Sequence, residues 1–187
     1  LLHELGIDAT FIAHKISIKH FSVPVSKKVV VESDWSSASY FYSCIALSDL
    51  KSQVVLSAYK KDSLQGDSCL SEIYKHFGVE TTFQDNTITL TKVRKAREDR
   101  LILDLKNAPD IAQTIAVTCF GLAIDCTLTG LHTLKIKETD RLVALDNELT
   151  KLGGKISITD ERLELERATL IHKDIAIETY KDHRMAM

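Results

Sequence analysis

Apolar positions along this chain change period at regular intervals. In 1–21, 73–92 and 148–167, helical spacing gives way after a glycine to two alternating runs separated by a short polar turn. Each stretch predicts the end of an amphipathic helix, a glycine, a strand, a tight turn and a second strand. The glycines Gly6, Gly78 and Gly153 are 72 and 75 residues apart. A glycine just past a helix closes it in the left-handed conformation without a Cβ clash. Asp34, Asp110 and Asp182 recur at nearly the same period, 76 and 72 residues apart. Each follows a predicted strand ("KVVVE", "LILDL", "IAIET") and precedes a small-residue or apolar helix. Strands "QVVLSAY" and "DCTLTG" come next, then helices "GDSCLSEIYKHFG" and "TDRLVALDNELTKLGG". In the last of these, Leu142, Leu145, Leu149 and Leu152 form one apolar stripe.

The repeating unit is therefore βαβαββ, with one copy from about 28 to 92 and another from about 101 to 167. The first 21 residues read as the tail of an earlier copy, and the last dozen as the start of a later one. A helix that stops at Met187, soon after it begins, is too short to be stable alone. The chain is thus expected to be part of something longer. Pro24 and Pro109 punctuate the pattern, and "KVRKAREDR" (92–100) predicts a solvated connector.

Composition narrows the partners. With 24 basic and 26 acidic residues, the chain has no polyelectrolyte character, which argues against nucleic acid or an anionic membrane surface as the main partner. Apolar runs all fall short of the roughly 18–20 residues that span a bilayer, and "LLHELGIDAT" lacks the basic start of a signal peptide. Cys44, Cys69, Cys119 and Cys126 have no metal-ligand spacing and lie in or beside apolar runs. They predict buried thiols in a reducing, cytoplasmic compartment, with no metal.

Charge placement changes the picture more than charge total. Lys135, Lys137, Glu138, Asp140 and Arg141 crowd into 135–141, just ahead of the leucine stripe. The first copy has "SLQGDSCLSEI" there, so Lys137, Glu138 and Arg141 are additions that the scaffold does not need. "KDHRMAM" likewise adds His183 and Arg184 where the other copies read "SDWSSAS" and "PDIAQTI". Helix N-termini receive anions well, and cations beside an acid suit a small anionic substrate. Asp34 reads as a simple N-cap; Asp110 and Asp182 are caps or chemistry. Structural ion pairing is the competing account of both charge sets.

"VESDWSSASYF", "SLQGD", "APDIAQTIAV", "KIKETDR" and "YKDHRMAM", in that order, resemble the 5-enolpyruvylshikimate-3-phosphate synthase (3-phosphoshikimate 1-carboxyvinyltransferase) family. The resemblance implies the enolpyruvyl transferase fold, an α/β architecture of repeated βαβαββ units forming an inverted barrel-like domain. Residues 1–33 would close one domain and 34–187 would form most of the second. It also implies transfer of the enolpyruvyl group from phosphoenolpyruvate to the 5-hydroxyl of shikimate 3-phosphate, without metal or organic cofactor, by an enzyme monomeric at full length. Carried over by motif, Asp110 contacts the shikimate hydroxyl as a base and Glu138 handles the proton at the enolpyruvyl methylene. Lys137 binds shikimate 3-phosphate, Arg141 and Arg184 clamp phosphoenolpyruvate, and His183 lines the same site. Thr133 and Lys135 stand where the family has Asn and Arg, so a hydroxyl replaces an amide and an ammonium replaces a planar fork. Other parts of the family's site have no counterpart in the chain, which is expected not to turn over alone. Enolpyruvyl transfer to UDP-N-acetylglucosamine and a non-catalytic repeat module are the alternatives.

Overall fold

The computed structural model describes residues 2–3, 5–20 and 28–187; Pro24 lies outside them. The chain divides into two units, Leu1–Glu32 and Ser33–Met187. The first holds an antiparallel hairpin of β1 (Ala9–Ile12) and β2 (Lys15–Ile18). Its turn places Ala13 and His14 at positive φ, the geometry that matches strand twist in a tight hairpin.

The second unit runs α1 (Trp35–Leu47), β3 (Gln53–Ser57), α2 (Leu70–Ile73), β4 (Val79–Gln84), β5 (Thr87–Lys92), β6 (Arg100–Asp104), α3 (Ala112–Leu122), β7 (Asp125–Thr129), α4 (Arg141–Lys151), β8 (Lys155–Ile158), β9 (Leu163–Glu166) and α5 (His183–Ala186). Short 3-10 turns at Gly66–Cys69 and Pro109–Ile111 lead into α2 and α3, and another spans His132–Ile136. One sheet has the order β3-β5-β4, fully antiparallel; the other has the order β6-β7-β9-β8, with only β6 and β7 parallel. From β6 to β9 the second copy is a complete βαβαββ unit.

Two predicted strands are absent. "KVVVE" (28–32) and "IAIET" (175–179) have no regular structure. A strand exists through its ladder, and among the described residues neither segment gains one. Within the second unit, the Ser33 N–H donates to the Ala58 carbonyl at 2.7 Å, just beyond β3. The predicted helix 66–78 is also reduced, to a 3-10 turn and the four residues of α2. Its Ser and Asp residues favour turns, and the Ser71 hydroxyl donates back to the Ser68 carbonyl.

α1 and α3 pack against each other, and α3 against α4. Trp35, Tyr42, Tyr74, Ile115, Leu128 and Leu149 are among the core side chains. The α1–α3 seam carries hydroxyls that satisfy one another: Ser39 Oγ lies 2.8 Å from Thr114 Oγ1, Thr118 donates to Ser43 Oγ at 2.8 Å, and Tyr74 OH lies 3.0 Å from Thr118 Oγ1. Paired in this way, they cost little to bury. At Gly78 (φ 78°) the chain reverses into β4 so tightly that a Cβ would sit 2.0 Å from the Arg94 carbonyl oxygen. Cys119 and Cys126 are buried as predicted, whereas Cys69 is half-buried and Cys44 is exposed, lining a groove with Leu47, Thr114 and Val117. Among the described residues, no helix is long and apolar enough to cross a membrane.

Candidate functional site

The site is built where α3, α4 and α5 begin. The Asp140 carboxylate accepts the N–H groups of Leu142 at 3.1 Å and Val143 at 3.2 Å, so it is the N-cap of α4. Sequence reasoning counted Asp140 only as a charge, although an Asp immediately before an apolar periodic run is the usual start signal. This cap makes Arg141 the first residue of α4 and turns its side chain inward, leaving it only 2% exposed.

Three carboxylates meet the buried guanidinium. Nε donates to Asp182 Oδ2 at 2.8 Å, Nη1 to Asp110 Oδ1 at 3.2 Å and Nη2 to Glu138 Oε2 at 2.7 Å. Asp182, fully buried, also caps α5 by accepting the N–H groups of Arg184 at 2.8 Å and Met185 at 3.3 Å. Burial pushes the Asp182 carboxyl up, but the Arg141 guanidinium and the helix amides outweigh it and hold the group below its ordinary value.

Asp110 sits in the 3-10 turn before α3 and caps nothing with its side chain. Its oxygens instead lie 3.2 Å from Lys137 Nζ and 3.6 Å from Arg184 Nη2, besides Arg141. Arg141 and Arg184 thus converge on one anion position, which the Asp110 carboxylate occupies. Glu138 presents its other oxygen 3.6 Å from His183 Nδ1. Asp110, Lys137, Glu138, Arg141, His183 and Arg184 are therefore brought together. Asp34 keeps the simpler role predicted for it, accepting the N–H groups of Ser36 and Ser37 at the start of α1.

Thr133 and Lys135 stay apart from this cluster. The Thr133 hydroxyl is buried without a hydrogen-bond partner, and Lys135 reaches Asp160 at 2.6 Å. Two further side chains line the cluster that residue-level reasoning did not single out. Burial raises the Tyr40 hydroxyl above its ordinary pKa against the opposing pull of Arg184, to which it is hydrogen-bonded. Burial likewise raises the Asp67 carboxyl, aided by the Asp110 charge and opposed by its bond from the Ser36 hydroxyl. Both belong to quoted motifs, "SSASYF" and "SLQGD", so the signal was present without a role attached.

Glu138, Asp182 and His183 each place a donor atom within 4.8 Å of the others, a spacing that suits a metal ion. Arg141 already occupies the shared space, and Asp182 is saturated by the guanidinium and by the α5 amides. The donors present therefore do not fit a cation. Lys137, Arg141 and Arg184 balance Asp110, Glu138 and Asp182 in formal charge. An incoming anion would gain these cations by displacing Asp110 from them, which frees a carboxylate to accept a proton.

Residues 1–187 match the family model described as EPSP synthase (3-phosphoshikimate 1-carboxyvinyltransferase). The chain is 42% identical to the 3-phosphoshikimate 1-carboxyvinyltransferase of Bacteroides fragilis over 165 residues, 84% of this chain and 38% of that protein. It is 31% identical to that of Neisseria meningitidis serogroup C over 168 residues, 90% of this chain and 38% of that protein. The chain thus spans well under half the length of these relatives. A solved structure of the EPSP synthase of Acinetobacter baumannii superposes with a TM-score of 0.77 at 23% identity, covering 99% of this chain and 44% of that one. The fold is the α/β enolpyruvyl transferase fold.

Proposed function

The chain belongs to the EPSP synthase family, and from that premise we propose that it supplies part of the site transferring the enolpyruvyl group of phosphoenolpyruvate to the 5-hydroxyl of shikimate 3-phosphate. The observation that supports this reading is the meeting of Arg141 and Arg184 on the Asp110 carboxylate. An anion placed there is gripped by two guanidiniums, one of them pre-oriented by a fully buried partner.

In this reading phosphoenolpyruvate takes the arginines and Lys137 holds shikimate 3-phosphate. Asp110, displaced from its cations, accepts the proton of the attacking hydroxyl, while Glu138, which must enter this step protonated once the substrate anions have taken its cation partners, donates a proton to the enol methylene carbon. The new C–O bond forms at the carbon bearing phosphate. Phosphate then leaves with the proton that Asp110 took, and one methyl proton returns to Glu138 as the double bond is restored, so both carboxyl groups end as they began and atoms and charges balance. Residues 1–33 would close the preceding domain and 34–187 would form most of the second. The enzyme would be monomeric at full length and cytoplasmic, where thiols such as Cys44 stay reduced.

The test uses a protein of the relatives' full length that carries this chain, assayed for phosphate release from phosphoenolpyruvate. Release with shikimate 3-phosphate but not with UDP-N-acetylglucosamine is expected. No release, or release with the UDP-sugar alone, refutes the reading. Glu138→Gln should then lower kcat by ~10²–10⁴-fold with little change in either KM, since the amide keeps its shape but cannot supply the proton.

A further inference from the structure

Between β9 and α5 the chain runs without regular structure from Arg167 to Asp182, yet it must deliver Asp182, His183 and Arg184 to the site. Just before them it makes an unusual turn. Tyr180 and Lys181 both have positive φ, 54° and 53°, and the Asp182 N–H closes the turn on the Thr179 carbonyl at 2.9 Å. Bulky side chains rarely adopt this conformation, and it persists only when its surroundings hold it.

The turn meets Glu148, one turn before the end of α4 and on the buried face of that helix. Its side chain is 5% exposed, and its oxygens accept from Tyr180 OH at 2.7 Å and from the Glu178 N–H at 3.1 Å. Lys151 Nζ closes the carboxylate off at 2.8 and 2.9 Å, and Asn147 Nδ2 supports the Tyr180 oxygen at 3.3 Å. The leucine stripe of α4 does not require a carboxylate at this buried place. α4 therefore touches the 178–184 segment at both ends, through Glu148 near its C-terminus and through Arg141 at its N-terminus.

We infer that Glu148, acting through Tyr180, is a positioning residue that holds the 179–182 turn and so sets where Asp182 and Arg184 meet Arg141 and the anion position. The inference rests on the proposed enolpyruvyl transfer for its kinetic meaning, while its structural content stands on the turn itself. Burial pushes the Glu148 carboxyl up, but the bonds from Lys151, Tyr180 and Glu178 together keep it below its ordinary value, so it is ionised at neutral pH.

Tyr180→Phe removes the bond to the turn and leaves the ring. In the full-length protein it should raise KM for phosphoenolpyruvate about tenfold, the usual scale for one lost charge-assisted hydrogen bond, with kcat and KM for shikimate 3-phosphate within about twofold. Glu148→Gln should do the same or somewhat less, because the amide oxygen still accepts from one partner. The double variant should cost less than the two singles together, since both break the Glu148–Tyr180 contact. A lowered kcat with both KM values unchanged would mean only lost folded enzyme and would overturn the inference, as would unchanged kinetics. Wild-type inactivity would instead refute the proposed function. The turn would then be judged by hydrogen exchange: the Arg184 and Met185 amides should exchange at least about tenfold faster in Tyr180→Phe while the α3 amides do not change. Equal rates at 184 and 185 would overturn the positioning role.

Discussion

Replacing Asp182 by Asn removes a charge while keeping size and cap. Asp182 is fully buried and Arg141 is 2% exposed, so neither side chain can exchange its partner for water. Breaking a buried pair from one side typically costs about 3–5 kcal/mol, because the remaining charge is left uncompensated. Arg141 keeps Asp110 and Glu138, but these are 27% and 48% exposed and their interaction with it is partly screened by solvent. That lowers the expected cost for Asp182→Asn to about 2–3 kcal/mol. Asn caps a helix as well as Asp does, so α5 should be little affected by this change. Asp182→Ala loses the cap as well, since Arg184 and Met185 no longer find an acceptor, and should cost about 1 kcal/mol more. Urea unfolding of this chain, followed by circular dichroism, reads both values as shifts in midpoint at constant slope. A cost below about 0.5 kcal/mol for Asp182→Asn would show that the pair behaves like a solvated surface bridge. Equal costs for Asn and Ala would refute the division between charge and cap.

Acid should act on the same anchor: Asp182 and Glu148 are both held below their ordinary values in the folded chain. The unfolded chain therefore binds their protons first as pH falls, so their stabilisation is complete above about pH 5 and is lost progressively below about pH 4. Melting temperature against pH checks this, and a decline that is the same in Asp182→Asn and the parent would refute the Asp182 share. Arg141→Lys should raise KM for phosphoenolpyruvate in the full-length protein, because one ammonium cannot span Asp182, Asp110 and Glu138 as the guanidinium does; unchanged KM would remove Arg141 from the anion site. Gly78→Ala should destabilise by at least about 1 kcal/mol, since φ is 78° and the new Cβ meets the Arg94 carbonyl oxygen at 2.0 Å. A midpoint within error of the parent would show that the β4–β5 hairpin shifts freely.

Much of the fold was legible from local pattern. Alternation about a short polar turn in 73–92 and 148–167 predicted the β4–β5 and β8–β9 hairpins, and the leucines of 142–152 predicted α4 and its buried face. These features depend on side chains a few residues apart, whose spacing alone decides which face they share. The strands expected at 28–32 and 175–179 have the right composition, but a ladder needs a neighbour that composition cannot name. The site divides in the same way. The sequence announced that Lys137, Glu138, Arg141, His183 and Arg184 were additions to a repeated scaffold, and its resemblance to a family suggested their roles. It did not show that Arg141 would be buried against Asp182, 41 residues away, or that Lys135 would turn aside to Asp160. Nor did it show that Glu148, one more acid on an amphipathic helix, would fasten the turn at Tyr180. Charges close in sequence were visible as a cluster from the start. Which of them pair, and which lose their water, depends on where separate helix ends land in the folded domain, because burial and distance set the strength of each interaction.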